Sequence, residues 1–210
     1  MGKENKAWDR LFDEYNESDC WRETKKTDKK ARERIAFINK KYGDTTEPGF
    51  FHLMGLYAYD LSKWTKYDEA FMELNFMRSF VFSGGKNLGS AHYLCFTLYD
   101  CKKYNALVSF YENDLKRKKF KAAKKCEVTE RRILSMHGLY ICSLIQTKQS
   151  EKKTIAELDR WMKHFKRYDS DGLSCDPAVP VDFLTQIRKL SKTAKVNEYI
   201  GKLSESAWDL

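Results

Sequence analysis

The side chains in this sequence best suited to ligate a metal ion are four histidines and six cysteines. His92 and Cys95 lie one helical turn apart, and His137 precedes Cys142 by five positions. Structural zinc sites instead combine two pairs of ligands, each pair closely spaced along the chain. The sequence therefore predicts no metal site, and no pattern in it indicates a cofactor.

Two short segments carry residues typical of loops that bind phosphate or calcium. Residues 83–87 read Ser-Gly-Gly-Lys-Asn, without the upstream glycine and the hydroxyl residue after the lysine that a phosphate-binding loop requires. Residues 169–172 read Asp-Ser-Asp-Gly, without the downstream glutamate of a calcium loop. No cysteine lies in the signature of a catalytic nucleophile. We therefore expect 83–87 to form a hairpin turn and the protein not to be an enzyme.

The most concentrated charge in the chain lies in residues 116–125, where seven of ten side chains are basic. They are Lys116, Arg117, Lys118, Lys119, Lys121, Lys124 and Lys125. So many cations on one helix repel each other, a cost that is easier to understand if a polyanion binds there and counterions are released. The same run is also typical of a nuclear localisation signal, and of a solvated helix end whose dipole favours cations.

The composition indicates a folded chain with an excess of positive charge. Its 210 residues are 42% apolar and 14% aromatic, enough for a sizeable core. The net charge of +9 suggests an acidic partner, such as nucleic acid, an acidic protein surface or anionic lipid, or only a surplus of surface lysine. Scattered cysteines without a C-x-x-C pair indicate reduced thiols in an intracellular protein, cytoplasmic or nuclear. We expect no signal peptide and no membrane span, because no apolar run approaches the roughly 20 residues required.

Residues 50–111 read as two copies of one unit, offset by thirty-seven positions. The matching residues are Met54, Tyr57, Ala58, Leu61, Tyr67, Ala70 and Leu74 in the first copy and Ala91, Leu94, Cys95, Leu98, Tyr104, Leu107 and Tyr111 in the second. Each copy has apolar residues at helical spacing, a polar turn and a second helical run. That pattern predicts helical hairpins that bury their apolar faces by stacking on neighbours.

The helical pattern extends beyond the two copies, and no segment alternates as a strand does. We predict an all-α chain of about ten helices in five antiparallel hairpins, forming a single helical-repeat domain over 1–210. Its parts are an N-terminal hairpin at 6–43, core repeats at 44–168 and a C-terminal capping hairpin at 179–209.

Local signals set the predicted helix ends. Residues 44–48 offer capping side chains and a proline for a helix start, and the glycine pair at 84–85 predicts a helix stop. We expect a break at 101–103, a polar turn at 149–151 and one clear loop at 169–179.

The central units resemble a known repeat family. Residues 67–70 read Tyr-Asp-Glu-Ala at the start of the second helix of the first copy, and Ala58 and Cys95 occupy its small positions. In these features the stretch from about residue 50 to 165 resembles tetratricopeptide repeats, and other helical-hairpin arrays, including pentatricopeptide-like ones, share the pattern. The resemblance implies a right-handed solenoid.

The resemblance also implies a concave surface, lined by positions beside the core residues in the first helix of each unit. In this chain those positions hold His52, Tyr59, His92, Phe96, Tyr99 and Arg132. The set lacks the lysine and asparagine with which family members clamp a peptide carboxylate. We therefore expect an aromatic groove for an apolar or extended peptide or a partner helix. The alternative is that these rings only pack between units.

Two functions follow from these features. The leading hypothesis is a non-enzymatic adaptor or scaffold that binds a protein or peptide partner through the aromatic groove, alone or within a larger assembly. The alternative is an RNA-binding or other nucleic-acid-binding helical protein, with 116–125 on the phosphate backbone and exposed aromatic rings on the bases.

Overall fold

The structure, a computed structural model, describes residues 32–33, 35–40, 45–62, 69–116, 127–170 and 178–208. Regular structure in these ranges is helical and includes no strand, which confirms the all-α prediction for this part of the chain. The helices after residues 35–40 are α1 (Pro48–Ser62), α2 (Glu69–Phe82), α3 (Leu88–Asp100), α4 (Tyr104–Phe110) with its π-helical extension (Tyr111–Leu115), α5 (Glu127–Gln146), α6 (Glu151–Ser170), α7 (Ala178–Leu190) and α8 (Ala194–Trp208). Within the described ranges, no helix combines the length and the hydropathy that crossing a membrane requires.

The chain divides into two compact units between Thr97 and Leu98. The first unit holds α1, α2 and most of α3, and the second holds α4 to α8. Of the N-terminal hairpin predicted at 6–43, only residues 32–33 and 35–40 lie within the described ranges. The single domain, the five hairpins and the right-handed solenoid therefore stay predictions.

The helix start predicted at 44–48 is confirmed at residues 45–48, and residue 44 lies outside the described ranges. The first helical residue of α1 is Pro48, and Thr45 Oγ1 accepts a hydrogen bond from the Glu47 backbone N–H at 3.2 Å. Proline fits the first helical position because its missing N–H would have no partner inside the helix there.

The predicted turns also separate the helices where the sequence places them. Gly84 and Gly85 follow α2 with φ angles of 64° and 77°, in the left-handed region that glycine enters without a Cβ clash. The hairpin turn predicted at 83–87 is thus confirmed. The predicted break at 101–103 separates α3 from α4, and the polar turn predicted at 149–151 lies between α5 and α6.

Helices extend into both ends of the loop predicted at 169–179, whose residues 171–177 lie outside the described ranges. Helix α6 continues through Ser170, and α7 begins at Ala178. Pro180 lies in the first turn of α7, where its missing N–H removes no helical hydrogen bond. Polar residues can also occupy the last turn of a helix. A polar run in the sequence therefore locates the end of a helix only approximately.

The core of the first unit is built around α1. From Phe50 to Ala58 every residue of this helix except His52 is buried, as its apolar circumference predicts. Ile35 and Ile38 from the preceding helical segment join Phe50, Met54 and their neighbours in one apolar cluster. The helix is therefore interior to the first unit.

Buried hydroxyl groups join the ends of α1, α2 and α3. Ser79 Oγ donates to the Pro48 carbonyl at 2.6 Å and accepts from Ser90 Oγ at 2.8 Å and Asn87 Nδ2 at 3.0 Å. His52 Nδ1 lies 2.8 Å from Ser90 Oγ. Because the single hydroxyl proton of Ser90 goes to Ser79, His52 must donate from Nδ1, which fixes the tautomer.

We expect Ser79→Ala to lower the free energy of unfolding by about 1–3 kcal/mol, because it leaves buried polar groups without their partner. Ser109→Ala is the matched control, since Ser109 is exposed on α4, and should change stability by less than about 0.5 kcal/mol. Chemical denaturation followed by circular dichroism gives both values. Equal effects of the two substitutions would contradict the role assigned to Ser79.

The core of the second unit centres on Trp161 of α6. Its Nε1 donates to the Leu134 carbonyl of α5 at 3.0 Å, and its ring lies 4.2 Å from that of Phe183 on α7. A Cβ added at Gly138 would lie 2.8 Å from the Phe183 ring, so glycine permits the close approach of α5 and α7. These contacts fix the relative positions of α5 and α6, which carry the polar cavity described below.

Candidate binding surfaces

Four of the predicted groove residues belong to one cluster of rings in the first unit. We call His52, Tyr59, Phe76, His92, Tyr93 and Phe96 the aromatic cluster. Tyr93 lies at its centre, with ring centroids 5.1 Å from Tyr59, 5.4 Å from Phe76 and 6.0 Å from His52. His92 packs edge-on against Phe96 at 4.8 Å. All four predicted residues are half-buried, and each contacts another ring.

The other two predicted groove residues belong to the second unit. Tyr99 packs edge-on against Tyr104 at 5.4 Å, and Arg132 is half-buried on α5. The structure therefore brings together His52, Tyr59 and their neighbours within one unit, whereas a groove shared by all six residues stays a prediction.

Five large apolar side chains are exposed in the described part of the first unit, and four of them share one helix; the fifth, Phe37, lies in the helical segment 35–40. We call Leu74, Met77, Val81 and Phe82 the α2 face; their exposed fractions are 47%, 37%, 59% and 45%. The first three are spaced i, i+3 and i+7, which aligns them along one side of the helix. The opposite side carries Met72, Phe76 and Phe80, which are buried. The α2 face is thus an apolar surface that the described part of the first unit leaves in solvent.

Sequence reasoning did not identify the α2 face. It treated Leu74 as a repeat position equivalent to Tyr111, whereas the structure exposes Leu74. The only available signal was that α2 is apolar on both sides, which an ordinary amphipathic helix is not. Arg78 lies in this stretch, with its guanidinium carbon 5.5 Å from the centroid of the Phe51 ring.

A polar cavity of about 340 Å³ lies in the second unit among the end of α4, α5 and α6. Glu157, which is 3% exposed, forms its centre. Its carboxylate accepts from Lys116 Nζ at 2.7 Å, from His137 Nε2 at 3.0 Å and from an Arg160 guanidinium nitrogen. One carboxylate therefore binds three potentially cationic groups.

These contacts determine the protonation states of Glu157 and His137. Burial alone would raise the pKa of Glu157, but the hydrogen bonds from His137 and Lys116 lower it to about 2. Glu157 is therefore ionised and can only accept, so His137 carries its hydrogen on Nε2. Burial lowers the pKa of His137 below its ordinary value, which favours the neutral ring at pH 7.

A second histidine–carboxylate pair lines the same cavity. His164 Nε2 lies 2.6 Å from Glu130 Oε2. The π-helical extension of α4 contributes Tyr111, which stacks on Tyr140 at 4.2 Å and on His137 at 5.6 Å. Since π-helical turns are often found at functional sites, the cavity is a candidate binding site.

The predicted polyanion-binding run is described at one position only. Lys116 lies at the cavity, with 42% of its side chain exposed. The remaining members, Arg117, Lys118, Lys119, Lys121, Lys124 and Lys125, lie outside the described residues. A shared polyanion surface along 116–125 therefore stays a prediction.

Possible metal ligands and two of the thiols in the described ranges were compared with the chemistry that they would have to perform. The ranges that the structure describes contain no group of three or more His, Cys, Asp or Glu side chains able to hold a metal ion. Cys95 and Cys142 are free and buried. Burial raises the pKa of both thiols, that of Cys142 to about 12, so both are protonated at neutral pH and poor nucleophiles.

Comparisons of this chain with protein-family models, with curated proteins and with solved structures find no match.

Proposed function

We propose that this protein is a non-enzymatic adaptor whose α2 face binds an amphipathic helix of a protein partner. The observation that carries the proposal is the row of exposed apolar side chains on α2. Exposed apolar rows of this kind mark interaction sites on globular proteins, and a row with i, i+3 and i+7 spacing complements the apolar stripe of a second helix.

Charge indicates which helix fits. Arg78 is exposed on α2 between Met77 and Val81, and the chain carries a net charge of +9. A partner helix with glutamate or aspartate beside its apolar stripe would pair with Arg78 and be attracted by the whole chain. A second copy of this chain fits less well, because it would bring equal positive charges together.

The aromatic cluster supports the α2 face from inside. Phe76 lies on the buried side of α2 and stacks on Tyr93 of α3 at 5.4 Å, with an interplanar angle of 11°. This contact fixes α2 before a partner binds, which reduces the conformational entropy lost on binding. The aromatic cluster and the α2 face are therefore separate candidate surfaces of the first unit.

Two synthetic helical peptides test the proposal. They share one apolar stripe, flanked by glutamates in one peptide and by lysines in the other, and fluorescence anisotropy measures their binding. We expect the glutamate-flanked peptide to bind at least about tenfold more tightly, because each close charge pair contributes of the order of 1 kcal/mol.

Substitutions locate the binding surface. Leu74→Asp and Val81→Asp should each weaken peptide binding at least about tenfold, whereas Ala106→Asp adds the same charge at an exposed position of the second unit and should leave it unchanged. Loss of binding in Phe96→Ala but not in Val81→Asp would place the site in the aromatic cluster and contradict the proposal. A wild-type dimer that Val81→Asp dissociates in sedimentation experiments would assign the α2 face to self-association instead.

A further inference from the structure

Segment 6–15 of this chain has the apolar pattern that the proposed partner helix requires. Trp8, Leu11, Phe12 and Tyr15 are spaced i, i+3, i+4 and i+7, which aligns them along one side of a helix. The segment lies outside the described ranges, so this helix is a prediction from the sequence. No other stretch outside those ranges carries four apolar residues at this spacing.

The charges of the segment also fit the partner helix. At 3.6 residues per turn, Asp9 and Glu14 flank the apolar stripe on its two sides, whereas Lys6 and Arg10 lie on the opposite side of the helix. Arg78 is exposed beside the apolar side chains of the α2 face. An acidic edge of the segment would therefore meet a cation when the two apolar surfaces pack together.

The connection to the first unit is long enough for the segment to reach α2. Ile35 and Ile38 pack in the apolar cluster around α1, so they anchor the chain that follows the segment. Residues 16–34 can extend over roughly 60 Å, whereas a folded unit of about 100 residues has a radius of gyration of about 13 Å. The α2 face is therefore within reach of the segment.

We propose that segment 6–15 forms a helix that docks on the α2 face of its own chain and competes there with the partner. This inference rests on the proposed function, because it assigns an internal ligand to the same face. Docking removes the apolar stripe of the segment and the α2 face from water together, which is the driving force for the contact. An external helix must then displace the segment before it binds.

The covalent connection favours the internal ligand. A segment tethered by a short flexible connection has an effective concentration in the millimolar range, so a contact of modest affinity is already occupied most of the time. If the segment covers the face in about nine of ten molecules, the apparent affinity for the partner is about tenfold lower than that of the uncovered face. The segment thus sets how strong a partner must be.

The test is fluorescence anisotropy of the glutamate-flanked peptide with the full chain and its variants. We expect Leu11→Asp, and independently Glu14→Lys, to bind this peptide at least about fivefold more tightly than the wild type, because each weakens docking of the segment. Asp13→Lys is the matched control, since it makes the same change of charge on the side of the segment away from the stripe. It should bind the peptide as the wild type does.

A synthetic peptide of residues 5–17 tests the contact directly. It should bind the Leu11→Asp chain, whose face is uncovered, and should compete there with the glutamate-flanked peptide. Its affinity should fall at least about tenfold when Val81→Asp is added to that chain. The wild type should bind it more weakly than Leu11→Asp does, because the tethered copy already occupies the face.

The outcomes separate this inference from the proposed function. Unchanged affinity for the glutamate-flanked peptide in Leu11→Asp and Glu14→Lys, with binding still lost in Val81→Asp, would overturn the inference and leave the proposed function standing. Binding of the 5–17 peptide alone, lost on addition of Val81→Asp, would support the inference and contradict the proposed function. Circular dichroism checks the fold of each variant, and Glu14→Lys decides the test if Leu11→Asp loses helicity.

Discussion

Replacing Glu157 with alanine is expected to lower the free energy of unfolding by about 3–5 kcal/mol, the usual cost of removing one partner from a buried ionic cluster. The substitution leaves His137 buried without the acceptor for its Nε2–H, and it leaves Lys116 and Arg160 repelling each other. Chemical denaturation measures the loss, and hydrogen exchange of α5 and α6 shows whether it is confined to the second unit.

Glu198→Ala is the matched control for this substitution. Glu198 pairs with Lys202 on α8, but both side chains are more than two-thirds exposed. Exposed pairs contribute little because water screens them, so the control should lose far less stability than Glu157→Ala does. Equal losses in the two variants would contradict the structural role of the Glu157 cluster.

The same cluster predicts how stability depends on pH. In the unfolded chain a glutamate takes up a proton near pH 4.5, whereas in the folded protein the pKa of Glu157 is about 2. The unfolded state therefore binds more protons as the pH falls from about 4.5 to 2, and stability decreases over that interval. Since the pKa of His137 is also lowered, a further loss begins below pH 6.5. Glu157→Gln should lose less stability than the wild type between pH 4.5 and 2, and parallel curves would contradict the assignment.

Gly55→Ala is expected to lower the free energy of unfolding by about 2–3 kcal/mol, as overpacking of a filled core does. A Cβ at this position would lie 2.5 Å from Phe76 Cε1 and 2.7 Å from its Cδ1. Phe76 is fully buried and stacked on Tyr93, so its ring has little room to move away. The close approach of α1 and α2 therefore requires glycine at this position.

Gly49→Ala provides the opposite result in the same helix. A Cβ at Gly49 would have no atom within 4 Å, so alanine should raise stability by about 0.5–1 kcal/mol by reducing the freedom of the unfolded chain. Chemical denaturation measures both variants. If Gly55→Ala were as stable as Gly49→Ala, the packing of α1 against α2 described above would be wrong.

A second substitution locates the clash. Combining Gly55→Ala with Phe76→Leu should cost less than the sum of the two single changes, because the smaller side chain makes room for the new methyl group. Additive losses would show that Phe76 is not the group that Gly55 accommodates.

Local signals in the sequence were sufficient for the helical class and for most helix ends. Proline at the start of α1, the glycine pair after α2 and the polar turn before α6 each act through the backbone of a few neighbouring residues. Such signals act on the local backbone in the same way whatever the tertiary structure of the rest of the chain. The boundaries of the loop at 169–179 were less accurate, because polar residues only limit a helix approximately.

The candidate sites were predicted less well. The sequence placed His52, Tyr59, His92 and Phe96 on α1 and α3, which the structure confirms, but not the packing of these rings around Tyr93. The spacing along the chain related His137 to Cys142, five positions away, and gave no sign of its contact with Glu157. For Lys116 the sequence indicated only that it is the first residue of a basic run.

What the sequence by itself determined was therefore the helical class of the described ranges, most of the helix ends within them and the excess of positive charge. Only the tertiary structure decided which apolar side of α2 faces solvent and which carboxylate Lys116 and His137 share. Lys116 and Glu157 are 41 positions apart, and His137 and Glu157 are 20 apart. Pairs so distant along the chain meet only when helices pack, and packing depends on the side chains of every neighbouring helix rather than on any local pattern.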